Sequence, residues 1–186
     1  EGMHVIPQIL TNRADDFLEI EKQLYEYGYR EVNLNLGCPS GTVTAKGRGA
    51  GFLAYPEELS KFLDQIYSKT RMKISVKTRI GISSEEEWPQ LLTLFNQFPI
   101  DHLIIHPRLL QDFYKGYPHM DAYQYAKEHS LSPIFYNGDI VQVSVPTLNS
   151  TKELTYRIKP TEITIRSEVR RKKGTVVGTS SLDTSG

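Results

Sequence analysis

The stretch Asn33-Leu34-Asn35-Leu36-Gly37-Cys38-Pro39 carries the only cysteine of the 186-residue chain. Two asparagines precede it at alternate positions. On a strand, residues i and i+2 point to the same side, so both amides face one way. Amides on an otherwise apolar strand are costly to bury unless backbone, water or a ligand hydrogen-bonds them. Gly37 relaxes the backbone and Pro39 ends the strand. A thiol held just beyond two amides could serve as a reactive group over a bound ring. A lone cysteine in a turn is equally at home as a small buried hydrophobe, and from this segment alone that second reading leads.

Other residues able to do chemistry recur along the chain. Lys77 could hold a phosphate or an electron-rich ring position, or be a surface lysine. His106 could contact a cofactor or handle protons, or be a structural histidine. Asn137-Gly138-Asp139 could offer backbone N–H groups to a phosphate, or form a common turn. The loop with Lys46, Gly47, Arg48, Gly49 and Gly51 could cradle a phosphate, although the GxxxxGK[ST] order is absent. The histidines show no metal-ligand spacing, and no G-x-G-x-x-G follows a strand.

The elements that must position these residues alternate regularly. Strands are expected at 3–10, 30–35, 72–77, 101–105 and 133–136. Between them lie helical patterns. The first is capped by Thr11 or Asn12, has Phe17, Ile20 and Leu24 on one stripe, and stops at Gly28. The second starts at Pro56, a good first-turn proline, and presents Leu59, Phe62, Leu63, Ile66 and Tyr67. The third follows a Ser84/Glu87 capping box with Trp88, Leu91, Leu92 and Phe95. The fourth spans 120–129. Five strands alternating with helices predict an α/β fold with a parallel sheet. Gln8, Asn35, Lys77, His106 and Asn137 all fall at the carboxyl end of a strand. That favours a (β/α)8 barrel, whose active site draws on several strand ends, over a doubly wound sheet, whose ligand sits at one switch point. Five strands cannot close eight, so the expectation is a partial barrel.

Composition narrows the partners. Twenty-two Lys/Arg balance 22 Asp/Glu, so there is no global basic signature of nucleic-acid binding. One cysteine excludes an internal disulfide framework and suits a reducing, cytoplasmic setting. No apolar run approaches the roughly 18 residues of a membrane span. The opening Glu1-Gly2-Met3-His4 is expected to be the middle of something longer. Residues 1–140 are expected to be the barrel domain. Residues 141–186, rich in Ser and Thr and carrying Arg170-Arg171-Lys172-Lys173, are expected to be an atypical tail outside it.

Asn35-Leu36-Gly37-Cys38-Pro39 resembles the N-x-G-C-P signature of the tRNA-dihydrouridine synthases. The resemblance continues in order through the Gly-rich loop to Gly51, then Lys77-Thr78-Arg79-Ile80-Gly81, His106-Pro107-Arg108, Tyr114-Lys115-Gly116 and Asn137-Gly138-Asp139-Ile140. It implies an FMN-binding (β/α)8 barrel that reduces the C5–C6 double bond of uridines in tRNA, with NADPH as reductant. It implies Cys38 as the acid that protonates uracil C5, with hydride from FMN arriving at C6. Asn35 would touch flavin and uracil. Gln8 and Lys77 would bind the isoalloxazine with His106 beside them, and Asn137, Gly138 and Asp139 the ribityl phosphate end. Arg79, Arg108 and Tyr114 would contact substrate. An ordinary thiol is mostly protonated at neutral pH, which suits the acid role, and the target base must leave its stack. No metal is implied.

The family's first two strands, its eighth strand and its helical domain find no counterpart here. The chain is therefore expected to be an incomplete copy covering strands three to seven, with activity in question. Two other readings stand beside this one. A flavin barrel acting on a free pyrimidine, similar to the dihydroorotate dehydrogenases, also places lysine and asparagine around FMN. A non-catalytic remnant would account for the absent strands and the basic tail.

Overall fold

The computed structural model describes residues 5–139, together with short strands at Val143–Val145, Leu154–Tyr156 and Thr164–Arg166. The remainder of the tail expected at 141–186 lies outside the described residues. Five parallel strands form the frame: β1 (Gln8–Ile9), β2 (Glu31–Leu36), β3 (Lys73–Arg79), β4 (Leu103–His106) and β5 (Ile134–Asn137). They pair strictly in chain order. A doubly wound sheet reverses its order at a switch point, and this sheet does not. Sequential parallel strands with helical connections are the topology of a barrel wall, so the fold is α/β and a partial (β/α)8 barrel. Thr164–Arg166 pairs antiparallel beside β5, and Val143–Val145 pairs with Leu154–Tyr156.

Helices α1 (Ala14–Glu26), α3 (Pro56–Tyr67), α4 (Trp88–Phe95) and α5 (Met120–His129) connect the strands, with a one-turn helix α2 (Gly41–Thr44) after β2. Because strand side chains alternate, Val32, Leu34, Leu36, Ile74, Val76, Leu103 and Ile105 share one face. All are at most 1 % exposed. They meet the apolar stripes of the helices, including Phe17, Phe62, Leu63, Ile66, Leu91 and Phe95. Phe62 stands edge-on to both Phe17 and Phe52, with centroids 6.1 and 5.5 Å away.

Three local expectations are corrected. Helix α1 is capped by neither Thr11 nor Asn12; its N-cap is Arg13, without a side-chain cap. Thr11 Oγ1 accepts from the Arg13 N–H instead, and Asn12 reaches across to donate to the Lys46 carbonyl. The stripe of α1 runs through Phe17 and Glu21, while Ile20 is 41 % exposed. Glu21 is drawn inward because its carboxylate accepts from Thr70 Oγ1 and the Arg71 N–H, a satisfied buried acid that apolar periodicity does not reveal. Strand β3 runs on through Thr78 and Arg79, two residues past its expected end. Elsewhere the stops work as read. Gly28 takes φ +94° and closes α1 with paired bonds, Gly28 N–H to Tyr25 and Tyr29 N–H to Leu24, the Schellman arrangement. The Ser84/Glu87 capping box is present.

Candidate active site

The opposite face of the sheet is polar. By alternation it presents Gln8, Asn33, Asn35, Ser75, Lys77, Arg79, His106 and Asn137. Gln8 Nε2 donates to Asn33 Oδ1 at 2.7 Å, and Asn33 Nδ2 donates to Ser75 Oγ at 2.9 Å. Asn35 Nδ2 donates to Gln8 Oε1 at 2.7 Å. Four polar side chains on three strands thus satisfy one another, and the two that are buried, Asn33 and Ser75, are both paired.

The far end of this chain of bonds reaches the cysteine. Asn35 Oδ1 accepts from both the Gly37 N–H (3.0 Å) and the Cys38 N–H (2.9 Å). The asparagine therefore shapes the turn that presents Cys38, a local side-chain-to-backbone role typical of Asn. The Gly-rich loop closes on the turn from the other side. Ala50 N–H donates to the Cys38 carbonyl at 3.0 Å. Gly49, at φ +55°, lies so close that an added Cβ would sit 2.7 Å from that carbonyl oxygen. The loop considered as a phosphate cradle is thus packed against the cysteine turn, and its Gly49–Ala54 segment, a 3-10 helix, is largely buried. Cys38 itself is half-buried and unpaired.

Across the mouth, His106 lies between two arginines. Burial, then the charges of Arg79, Arg108 and Lys77, push its pKa down to about 4. The ring is neutral at pH 7. Arg108 Nη1 approaches His106 Nε2 at 3.3 Å, and an arginine can only donate. Nε2 is therefore the acceptor and Nδ1 carries the proton. Arg108 is 1 % exposed, with Nη2 donating to the Gly116 carbonyl (2.7 Å) and Asp139 Oδ2 (2.9 Å). Arg79 is 0 % exposed, with Nε on the Gly37 carbonyl (3.1 Å) and Nη1 on the Leu109 carbonyl (2.8 Å). The Tyr114 ring covers the Arg79 guanidinium at 5.4 Å.

The strand register puts Gln8, Asn35, Lys77, His106 and Asn137 on one face of the sheet, with the Cys38 turn held at its end by Asn35. The structure separates the three residues expected at the substrate. Tyr114 is 67 % exposed, whereas Arg79, under its ring, and Arg108 are buried, because backbone carbonyls and Asp139 already hold their guanidinium groups. Sequence reasoning gave no site role to Asn33 or to Ser75. The paired asparagine spacing was a signal for the first; the second depends on strand register. Among the described residues no group of three or more His, Cys, Asp or Glu side chains could hold a metal, and no helix is long and apolar enough to cross a membrane. A cleft of about 580 Å³ opens elsewhere, between Lys46, Phe52, Tyr55, Lys61 and Phe62. It includes none of the strand-end residues, so converging polar groups rather than a cavity mark the cysteine end of the sheet.

The donor set fits a planar, electron-poor ring better than it fits a phosphate. Amides, a lysine and a neutral imidazole surround the mouth, while at the Asn137–Asp139 end the side-chain carboxylate is committed to Arg108.

A partial parallel barrel with its polar groups at the strand carboxyl ends defines a (β/α)8-type domain. The dihydrouridine synthase (Dus) family model matches residues 1–152, and the chain belongs to that family. Its curated relatives include "Probable tRNA-dihydrouridine synthase" of Staphylococcus aureus and of Staphylococcus epidermidis, each 28% identical over 141 residues. "Probable tRNA-dihydrouridine synthase 2" of Bacillus subtilis is 26% identical over 141 residues. Each alignment covers 73% of this chain and 43% of the relative, so the chain spans less than half the length of the curated relatives it matches.

Proposed function

We propose that this chain carries the cysteine-bearing part of a cytoplasmic, flavin-dependent tRNA-dihydrouridine synthase, using FMN with NADPH as reductant. The observation that carries the reading is the Cys38 turn, fixed by Asn35 at the rim of a polar face shared with Lys77 and a neutral His106. When bound, FMN would supply the hydride for uracil C6. Cys38 Sγ gives its proton to C5, and solvent restores the thiol. Asn35 holds the turn through Oδ1 and Gln8 through one Nδ2 hydrogen, which leaves its second Nδ2 hydrogen for the ring. Lys77 would help hold the flavin and would set a cation where its ring gains negative charge. His106, held neutral, hydrogen-bonds without adding charge. Asn137, Gly138 and Asp139 take the phosphate end through backbone groups. Tyr114 offers an exposed ring to the tRNA, with Arg79 beneath it and Arg108 held beside His106.

The test is uridine reduction in a tRNA transcript with FMN and NADPH. Cys38→Ala is expected to retain flavin and lose about 10²- to 10⁴-fold in turnover, the range for a positioned acid; unchanged turnover rejects Cys38 as the donor. Lys77→Ala is expected to lower flavin retention, and wild-type occupancy would remove Lys77 from the site. A chain that purifies without a flavin absorbance band and takes up no FMN would favour the non-catalytic remnant. Oxidation of free dihydroorotate, with no action on tRNA, would favour the free-pyrimidine enzyme. We also assign residues 141–186 to a tail outside the parallel barrel wall, its Thr164–Arg166 strand only adding antiparallel to the edge at β5: limited proteolysis should remove it first, and a protected tail would move the boundary.

A further inference from the structure

Arg79 has no outlet to solvent. It is 0 % exposed, burial pulls its pKa below the ordinary arginine value, and its Nη2 meets no hydrogen-bond partner among the described residues. A buried guanidinium with an orphan N–H is expensive, and an apolar residue of similar volume is often no less stable at such a place. Its remaining contacts say what it does there. Nε binds the Gly37 carbonyl, inside the turn that presents Cys38, and Nη1 binds the Leu109 carbonyl, in the segment after β4. Gly37 N–H and Cys38 N–H are held on the strand side by Asn35 Oδ1, and the Cys38 carbonyl by Ala50 N–H. Arg79 thus ties the cysteine turn to the opposite wall of the mouth, where His106, Arg108 and Tyr114 stand.

We infer that Arg79 is a positioning residue for Cys38: its guanidinium fork clamps the Gly37 carbonyl to the Leu109 carbonyl and so sets the thiol's place relative to the far wall. The inference rests on the reading of Cys38 as proton donor. The residue acts through backbone and touches no reacting atom. Lysine cannot replace it fully, because one ammonium on a flexible stem does not span two carbonyls as a planar fork does.

The test uses the whole 186-residue chain, in which Cys38 is the sole thiol. Its alkylation by iodoacetamide therefore reports on this turn alone. Arg79→Gln is expected to raise the alkylation rate about tenfold, the loosening expected when a charge-assisted bond is lost. Amide hydrogen exchange at Gly37 and Cys38 should speed up by a similar factor, while Val76 and Ile105 in the neighbouring strands keep their protection. Arg79→Lys should fall between wild type and Arg79→Gln. A merely structural arginine would lower the melting temperature and exchange protection everywhere together, and that pattern overturns the inference. So do wild-type alkylation and exchange in Arg79→Gln, and so does failure of both variants to fold. These readouts do not depend on turnover, so they judge Arg79 separately from the Cys38→Ala assay that judges the acid.

Discussion

Asn33 and Leu34 are neighbours in β2, and they belong to two different economies. Leu34 is 0 % exposed on the helix-covered face, among aliphatic side chains that need only be close-packed. Asn33 is 6 % exposed on the other face, and its value lies in direction: one bond accepted from Gln8, one donated to Ser75. The apolar face supplies burial energy without caring which way a side chain's dipole points. The polar face adds little stability, because its bonds replace bonds to water. It instead specifies a relay of amides that ends at the Cys38 turn. A strand with period two lets one element do both tasks with no compromise between them.

The comparison can be broken by truncating each face in turn. Leu34→Ala should show the larger loss of stability, about 2–5 kcal/mol for a fully buried leucine, measured by denaturant unfolding. Cys38 alkylation under native conditions should change little. Asn33→Ala should cost less, about 1–3 kcal/mol, from the Gln8 and Ser75 groups it leaves unpaired. It should nevertheless quicken Cys38 alkylation, because Gln8 also holds Asn35, and Asn35 holds the turn. If Leu34→Ala loosens the thiol more than Asn33→Ala does, the two faces do not divide the work in this way.

The two faces were also unequally legible. The apolar face follows from periodicity: Val32, Leu34 and Leu36, or Leu59, Phe62, Leu63 and Ile66, announce their own burial. The carboxyl-end residues Gln8, Asn35, Lys77, His106 and Asn137 could be found because strand ends are visible in the chain. What stayed hidden was what register and loop closure decide. Arg79 and Arg108 look exposed because charged residues usually are; their burial depends on carbonyls of Leu109 and Gly116, brought in by the segment after β4. Glycines 47, 49 and 51 suggested a ligand cradle, and Gly49 instead makes room for the cysteine turn. Glu21 was lost for the same reason: its partners, Thr70 and Arg71, are about fifty positions away.

The smallest expected effect probes the polar face through pH. His106 is held neutral, with a pKa near 4 against an ordinary 6.5, chiefly by burial and then by Arg79, Arg108 and Lys77. Between those values the unfolded chain binds a proton that the folded chain refuses. Stability therefore falls as pH drops from about 6.5 to about 4, and below that the group contributes no further change. His119 works the other way. Although its burial opposes the charge, bonds to Asp112 and Glu85 raise its pKa, so its contribution is present below 6.5 and fades as pH rises through its folded value. The two must be separated by substitution. Wild type should lose more on acidification than His106→Gln does, by on the order of 1 kcal/mol once solvent screening of a half-buried ring is allowed for. That is about 2–4 °C in melting temperature for a chain of this size. Thermal unfolding of both proteins at pH 7 and pH 4.5 reads the difference. Parallel curves would mean that burial and the neighbouring cations do not hold His106 neutral, and the polar face would then lose its one uncharged hydrogen-bonding ring at working pH.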